Sequence, residues 1–150
     1  METFEIENLL EDLNIIPIVD SLLEGLERIG LHPRIPVSPA DYLPLETILE
    51  ISTNPRLAHS FMQLFSQRAV EMLVAYKPEI VANFAFDQWV PTNQNDYAPS
   101  VAPKMAAFYL RAAQLEMALP PFKIDEITFQ NCFMFTWDLT AQLLATPKNL

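Results

Sequence analysis

His32, His59 and Cys132 are the side chains with the chemistry of a base, a nucleophile or a soft metal ligand, and they are scattered through the chain. Metal sites draw on His and Cys at close spacing. No acid stands three or four residues from His59, and the Glu-x-x-His pairs of a carboxylate-bridged di-iron centre are missing. Cys132 is the one cysteine, so neither an intrachain disulfide nor a thiolate cluster can form. Its neighbours bring no positive charge to make a thiolate, and it reads as a small buried apolar residue. His59 reads as an exposed or hydrogen-bonded histidine at the edge of a helix's polar arc, the alternatives being a general base or a haem ligand. His32 precedes Pro33 in a loop and means little alone.

Glycine content removes further chemistries. Gly25 and Gly30 are the only glycines, and two cannot furnish a GxGxxG or GxxxxGK phosphate cradle. A GxSxG nucleophile elbow is also missing. The expected set of catalytic, cofactor-binding and metal-binding residues is empty, and the chain is expected not to be an enzyme.

Arg68 breaks the pattern of its own helix, projecting into an apolar arc beside Leu64, Phe65 and Met72. A guanidinium keeps its proton, so in a core it needs a carboxylate or several carbonyls. Glu46, Glu50, Asp87 and Asp138 are candidate partners. The alternatives are a long stem carrying the charge to water, or an anion on a ligand or partner.

The formal charge is −10, which disfavours direct contact with nucleic-acid phosphates or anionic membranes and fits a basic protein partner or simple solubility. The acidity is concentrated. Residues 1–29 carry Glu2, Glu5, Glu7, Glu11, Asp12, Asp20, Glu24 and Glu27 against Arg28 alone, while the rest has eleven acids and eight bases. We read Glu5, Glu7, Glu11, Asp12, Glu24 and Glu27, with Arg68, as the candidate partner-binding residues; a solvated outer face is the plainer reading of the acids.

These residues must be positioned by helices. At 150 residues, with 51% hydrophobic and 19% charged side chains, one folded domain spanning 1–150 is expected. Thirteen prolines fall mostly between apolar periodic segments. The fold class expected is all-α: an irregular or orthogonal bundle of about six helices separated by proline-containing loops.

The helix everything else leans on is Asn54–Tyr76, with Asn54 as cap, Pro55 in the first turn and Pro78 as stop. Leu57, Ala58, Phe61, Met62, Leu64, Phe65, Ala69, Met72, Leu73 and Tyr76 share a broad arc, opposite His59, Ser60, Gln63, Ser66, Gln67 and Glu71. Residues 1–29 read as an acidic pair of helices broken at Pro17, because their two apolar stripes point in nearly opposite directions; Gly30 is the expected C-cap. A proline-rich linker, 30–43, contains Pro33, Pro36 and Pro39 in polyproline II spacing. The helical core, 44–145, opens with a short helix carrying Leu45, Ile48 and Leu49 inward, with Ile51 as a further candidate.

Further helices are expected from Pro78 to Val90, from Pro103 to Leu119, and from about Asp125 to Ala145, with a polar loop at 91–102. Phe122, Ile124 and Phe129 alternate like a strand, but no second strand accompanies them, and helix is preferred. Phe84, Phe86, Trp89, Phe108, Tyr109, Phe129, Phe133, Phe135 and Trp137 concentrate in the last helices, as core or as a partner groove. The N-terminus is acidic, unlike a secretory leader, and no apolar window approaches about 20 residues, so a cytoplasmic protein is expected.

These observations favour a non-catalytic protein–protein interaction protein: an adaptor, an assembly factor or a small subunit, homo- or hetero-oligomeric. The alternatives are an acidic nucleic-acid mimic that inhibits a nuclease or DNA-binding protein, and a carrier of an apolar small ligand.

Overall fold

The computed structural model describes residues 2–32, 34, 37–79, 101–117 and 126–145; for 2–14 and 101–104 it describes the backbone. Helix α1 spans Glu2–Leu31, a 3₁₀ turn Pro39–Asp41, α2 Leu45–Ser52, α3 Pro55–Tyr76, α4 Val101–Gln114 and α5 Glu126–Ala145. The chain is all-helical among the described residues, with no strand. The helix expected after Pro78 lies outside them beyond Glu79. So do the polar loop up to residue 100, the Leu119 and Asp125 boundaries, and Phe122 and Ile124.

Helix α3 is the hub, packing against α1, α2, α4 and α5. Asn54 Oδ1 accepts from the backbone N–H groups of Arg56 and Leu57, at 3.1 Å each, and Pro55 sits where a missing N–H is harmless. At the far end Lys77 N–H closes on the Leu73 carbonyl at 2.7 Å, and Pro78 prevents continuation. Against α5, the Phe61 ring meets Phe129 at 5.8 Å and Phe133 at 5.6 Å, both edge-to-face, and Phe65 lies 5.3 Å from Phe133. Offset and edge-on geometries like these suit the ring quadrupole.

The face that α3 buries differs from the arc expected. Ala58, His59, Phe61, Met62, Phe65, Ser66, Ala69, Val70 and Leu73 are buried. At 100° per residue this arc is rotated by about 60° from the one centred on the largest apolar residues. One rotation explains several departures. It swings His59, Ser66 and Val70 inward, and it carries Arg68 out to solvent.

Helix α1 corrects the expected pair of helices: it runs through Pro17 without a break. Pro17 is exposed, so the Leu13 carbonyl that it cannot bond lies on the solvent-facing turn. Ile15, Val19, Leu22, Leu26 and Ile29 are buried on both sides of it, at helical spacing, and hold the rod on α3 and α5. Ile16 is exposed beside the buried Ile15.

Gly30 is not a cap but an ordinary helical residue, and no glycine has positive φ among the described residues. The linker is more ordered than a polyproline crossing. Ser38 Oγ accepts from Ala40 N–H at 3.3 Å, Asp41 Oδ2 accepts from Ser38 N–H at 3.0 Å, and Pro39 and Leu43 are buried.

The two glycines of α1 have opposite expected sensitivities. A Cβ on Gly25 would stand 2.8 Å from the Tyr42 ring and 3.0 Å from the Trp137 ring. Only the missing side chain lets α1 approach both. Glycine inside a helix is ordinarily worse than alanine, but Gly25→Ala is expected to destabilise by about 1–3 kcal/mol through overpacking. A Cβ on Gly30 meets Leu144 at 3.6 Å, an ordinary contact. Gly30→Ala is expected to stabilise by about 0.5 kcal/mol. Urea midpoints of the two variants should move in opposite directions; a shared direction would refute the account of Gly25.

In α2 the inward face is Ile51 with the half-buried Ile48, whereas Leu45 and Leu49, expected inside, are exposed. Helix α4 begins at Val101, two residues before Pro103, and ends at Gln114, well short of Leu119. Its end is a left-handed turn: Met117 N–H bonds the Ala112 carbonyl at 2.8 Å and Glu116 N–H the Ala113 carbonyl at 3.1 Å. That reversed pair of bonds needs a left-handed residue. Glu116 supplies it, at φ 55°, where glycine would be cheaper by about 1 kcal/mol. Helix α5 buries Phe129, Cys132, Phe133, Trp137, Leu139, Leu143 and Leu144 among α1, α2, α3 and α4.

Candidate functional site

The chemistry-bearing residues divide between the core and the surface. In the core, His59 of α3 is 4% exposed and its Nδ1 lies 2.7 Å from the Tyr109 hydroxyl of α4, which is itself buried. The ring centroids are 5.6 Å apart. Cys132 of α5 belongs to the same buried core cluster as Tyr109.

Burial, with a smaller contribution from Cys132, drives the Tyr109 phenol above its ordinary value of 10.0. Burial also pushes the Cys132 thiol up from 9.0 to about 12. A side-chain hydrogen bond with Thr136 opposes that shift, but the Thr136 hydroxyl already directs its proton to the Cys132 carbonyl oxygen at 2.8 Å. Burial therefore dominates. At neutral pH both groups keep their protons, and a protonated thiol is a poor nucleophile and metal ligand. Among the described residues no group of three or more His, Cys, Asp or Glu is placed to hold a metal ion.

The contact's job is to tie α3 to α4. Tyr109→Phe would leave His59 Nδ1 facing a ring edge inside the core. We expect a loss of about 1–3 kcal/mol, the penalty for stranding a buried polar atom. Guanidinium unfolding should show it as a lower midpoint at unchanged slope. A Tyr109→Phe variant as stable as the parent would remove the contact from any structural role.

The sequence reading missed this pair because it put His59 on the polar arc. The signal was present: His59, Met62, Ser66, Ala69 and Leu73 recur at three- and four-residue steps, the spacing of a buried stripe.

On the surface, three of the seven candidate partner-binding residues, Glu24, Glu27 and Arg68, have described side chains. Arg68 Nη1 lies 3.3 Å from Glu71 Oε2, one turn along α3, with the Arg68 side chain 48% exposed. None of the four candidates Glu46, Glu50, Asp87 and Asp138 is the partner shown; the arginine reaches solvent and an exposed neighbour, a pairing of small energetic worth. Asp87 lies outside the described residues. Asp138 is exposed, and partial burial raises its carboxyl above the ordinary value.

Glu24 and Glu27 are exposed on α1. Glu27 Oε2 accepts a bond from the Tyr76 hydroxyl at 3.3 Å, joining α1 to the end of α3, and its charge raises the Tyr76 phenol. Glu5, Glu7, Glu11 and Asp12 lie on the backbone of α1, and their side chains lie outside the description.

Two concavities flank the outer face of α3. The larger, about 560 Å³, runs between α3 and α4. Helix α3 gives it Gln63, Gln67, Val70, Glu71 and Val74; the end of α4 gives Ala113, Gln114, Glu116 and Met117. The smaller, about 240 Å³, lies between α1 and α3 and is lined by Ile15, Ile16, Ser60, Gln63, Leu64 and Gln67. Gln63 and Gln67 form the ridge between the two. Both mix amides and aliphatic side chains, and the larger adds two carboxylates.

Large apolar side chains also stand exposed on α3 and α4. On α4 and just beyond it, Phe108 and Leu115 are 53% and 50% exposed, and Met117 is 49% exposed. Val74, across the larger groove from Met117, is 50% exposed.

No protein-family model, curated protein or solved structure matches the chain. No helix among the described residues is long and apolar enough to cross a membrane.

Proposed function

We propose that this chain is a non-catalytic interaction protein of the cytoplasm, an adaptor, assembly factor or small subunit of a larger complex, built as an irregular bundle of about six helices. The observation that carries the reading is the number of large apolar side chains left exposed on α3, on α4 and just beyond it: Phe108, Leu115, Met117 and Val74, of which Val74 and Met117 line the larger groove. Scattered single apolar residues need no explanation, but Val74 and Met117 line one groove, and that fits a surface that a partner covers. The Tyr109 and Cys132 side chains fit the same reading, since burial keeps both protonated at neutral pH.

Native mass spectrometry of the tagged chain from its own cells tests this. The expected result is a stoichiometric heteromer that dissociates in a Phe108→Ser, Leu115→Ser double variant whose near-ultraviolet circular dichroism is unchanged. Recovery of the chain alone at every salt concentration would overturn it.

A second reading, the acidic mimic of nucleic acid, draws on one observation. Asp20, Glu24 and Glu27 are exposed at steps of four and three along α1, a row of carboxylates on one side of a rod. It requires association that weakens steeply with salt; binding indifferent to ionic strength removes it.

A further inference from the structure

The end of α4 is where local stability and side-chain choice disagree. A left-handed C-terminal turn favours glycine, yet position 116 holds a glutamate at φ 55°. That glutamate lines the larger groove. A residue held in an unfavourable backbone region beside a cleft points to a role for its side chain.

Two of the other polar groups there, Glu71 and Gln114, are already engaged. Glu71 pairs with Arg68 at 3.3 Å, and Gln114 Oε1 accepts from Arg111 Nη1 at 2.9 Å. The Glu116 carboxylate has no ion-pair partner among the described residues. Next to it the groove offers aliphatic surface from Val70, Val74, Ala113 and Met117. From Gln63 to Val74 the α3 wall is about 16 Å long, three turns of helix.

We propose that this groove receives an amphipathic helix of a partner protein, with Leu- or Met-like side chains on Val74 and Met117 and a Lys or Arg directed at Glu116. The proposal rests on the interaction reading above and gives it a site and a partner chemistry. Charge complementarity selects the occupant: the chain carries −10, and an acidic helix would meet the Glu116 carboxylate with like charge. The length and the aliphatic floor fit the helix-in-groove mode of recognition.

The test uses the intact chain and a random-peptide display library of roughly four helical turns. Enriched peptides are titrated into methyl-labelled protein. Enriched sequences should carry Lys or Arg at a fixed helical spacing from Leu, Met or Phe, and should shift the Val74 and Met117 methyl signals. Glu116→Gln should weaken them about tenfold, the effect of losing one charged contact. Glu116→Gly should weaken them as much while raising Tm, which separates a binding role from a structural one. No enrichment, enriched sequences without a base, affinity unchanged in both variants, or a second copy of the chain in the groove would each overturn the proposal. If native mass spectrometry finds a heteromer indifferent to Glu116→Gln, this docking mode fails and the interaction reading survives. If no heteromer forms although basic peptides bind as described, the reverse holds.

Discussion

Phe133→Ala is expected to lower the stability of the fold by about 3–5 kcal/mol, the usual cost of deleting a buried ring. The reason lies in its neighbours. The Phe133 ring sits 5.6 Å from Phe61 and 5.3 Å from Phe65, and Phe61 also meets Phe129 at 5.8 Å. All four are essentially inaccessible to water. The three partner rings belong to α3 and α5, and rigid aromatic rings on two long helices cannot collapse into the space left behind. Edge-to-face contacts add to the area term, so losing Phe133 removes two ring pairs as well as a side chain's worth of burial.

A domain of this size is stable by about 5–15 kcal/mol, so the variant should unfold at a much lower denaturant concentration. Phe133→Leu keeps most of the volume and should lose less than half as much. Phe108→Ala supplies the contrast, because that ring is 53% exposed, and it should stay within about 0.5 kcal/mol of the parent. Equal losses at 108 and 133 would mean that the aromatic seam is not where α3 and α5 are joined.

How much of this was legible in the sequence depends on the range of the physics involved. The ends of α3 were legible, because Asn54, Pro55 and Pro78 act through bonds to their immediate neighbours. So was the helical state of α5 from Glu126 to Ala145. The rotation of the α3 buried face was not, because it is set by α1, α4 and α5 together. The largest apolar residues point to one arc, and the buried stripe, which includes His59 and Ser66, follows another. Pro17 was misjudged because a proline's cost is local but the burial of Ile15 and Val19 on either side of it is not. The early end of α4 had no glycine to announce it; the left-handed residue is Glu116, a type that no turn rule selects. The acids read as partner-binding rest on charge alone. Charge does not report where helices leave a concavity, so the groove beside Glu116 and Met117 became visible only in three dimensions.

Cys132 is expected to be nearly inert to thiol reagents while the protein is folded, and this tests the claim that the core polar groups do no chemistry. Burial raises the thiol from 9.0 to about 12, which lowers the thiolate fraction near neutral pH about a thousandfold. Access is blocked as well, since the side chain is fully buried. Reaction with an aromatic disulfide at pH 8 should therefore run through unfolding, and its rate should rise with denaturant in step with the unfolded population. Fast labelling of the native protein would reopen the case for a functional thiol.

The same shift has a consequence for stability. The folded state favours the protonated thiol, so its contribution is fully present below pH 9 and is lost as pH climbs towards 12. Tyr109, also raised by burial, adds a loss of the same sign above pH 10. Stability should thus fall on the alkaline side, by at most about 1.4 kcal/mol per pH unit for each group. Cys132→Ala should remove the part of that loss that begins near pH 9 and leave the Tyr109 part in place. If the variant and the parent lose stability identically between pH 8 and 10, the thiol is not titrating with folding and its inertness must come from access alone.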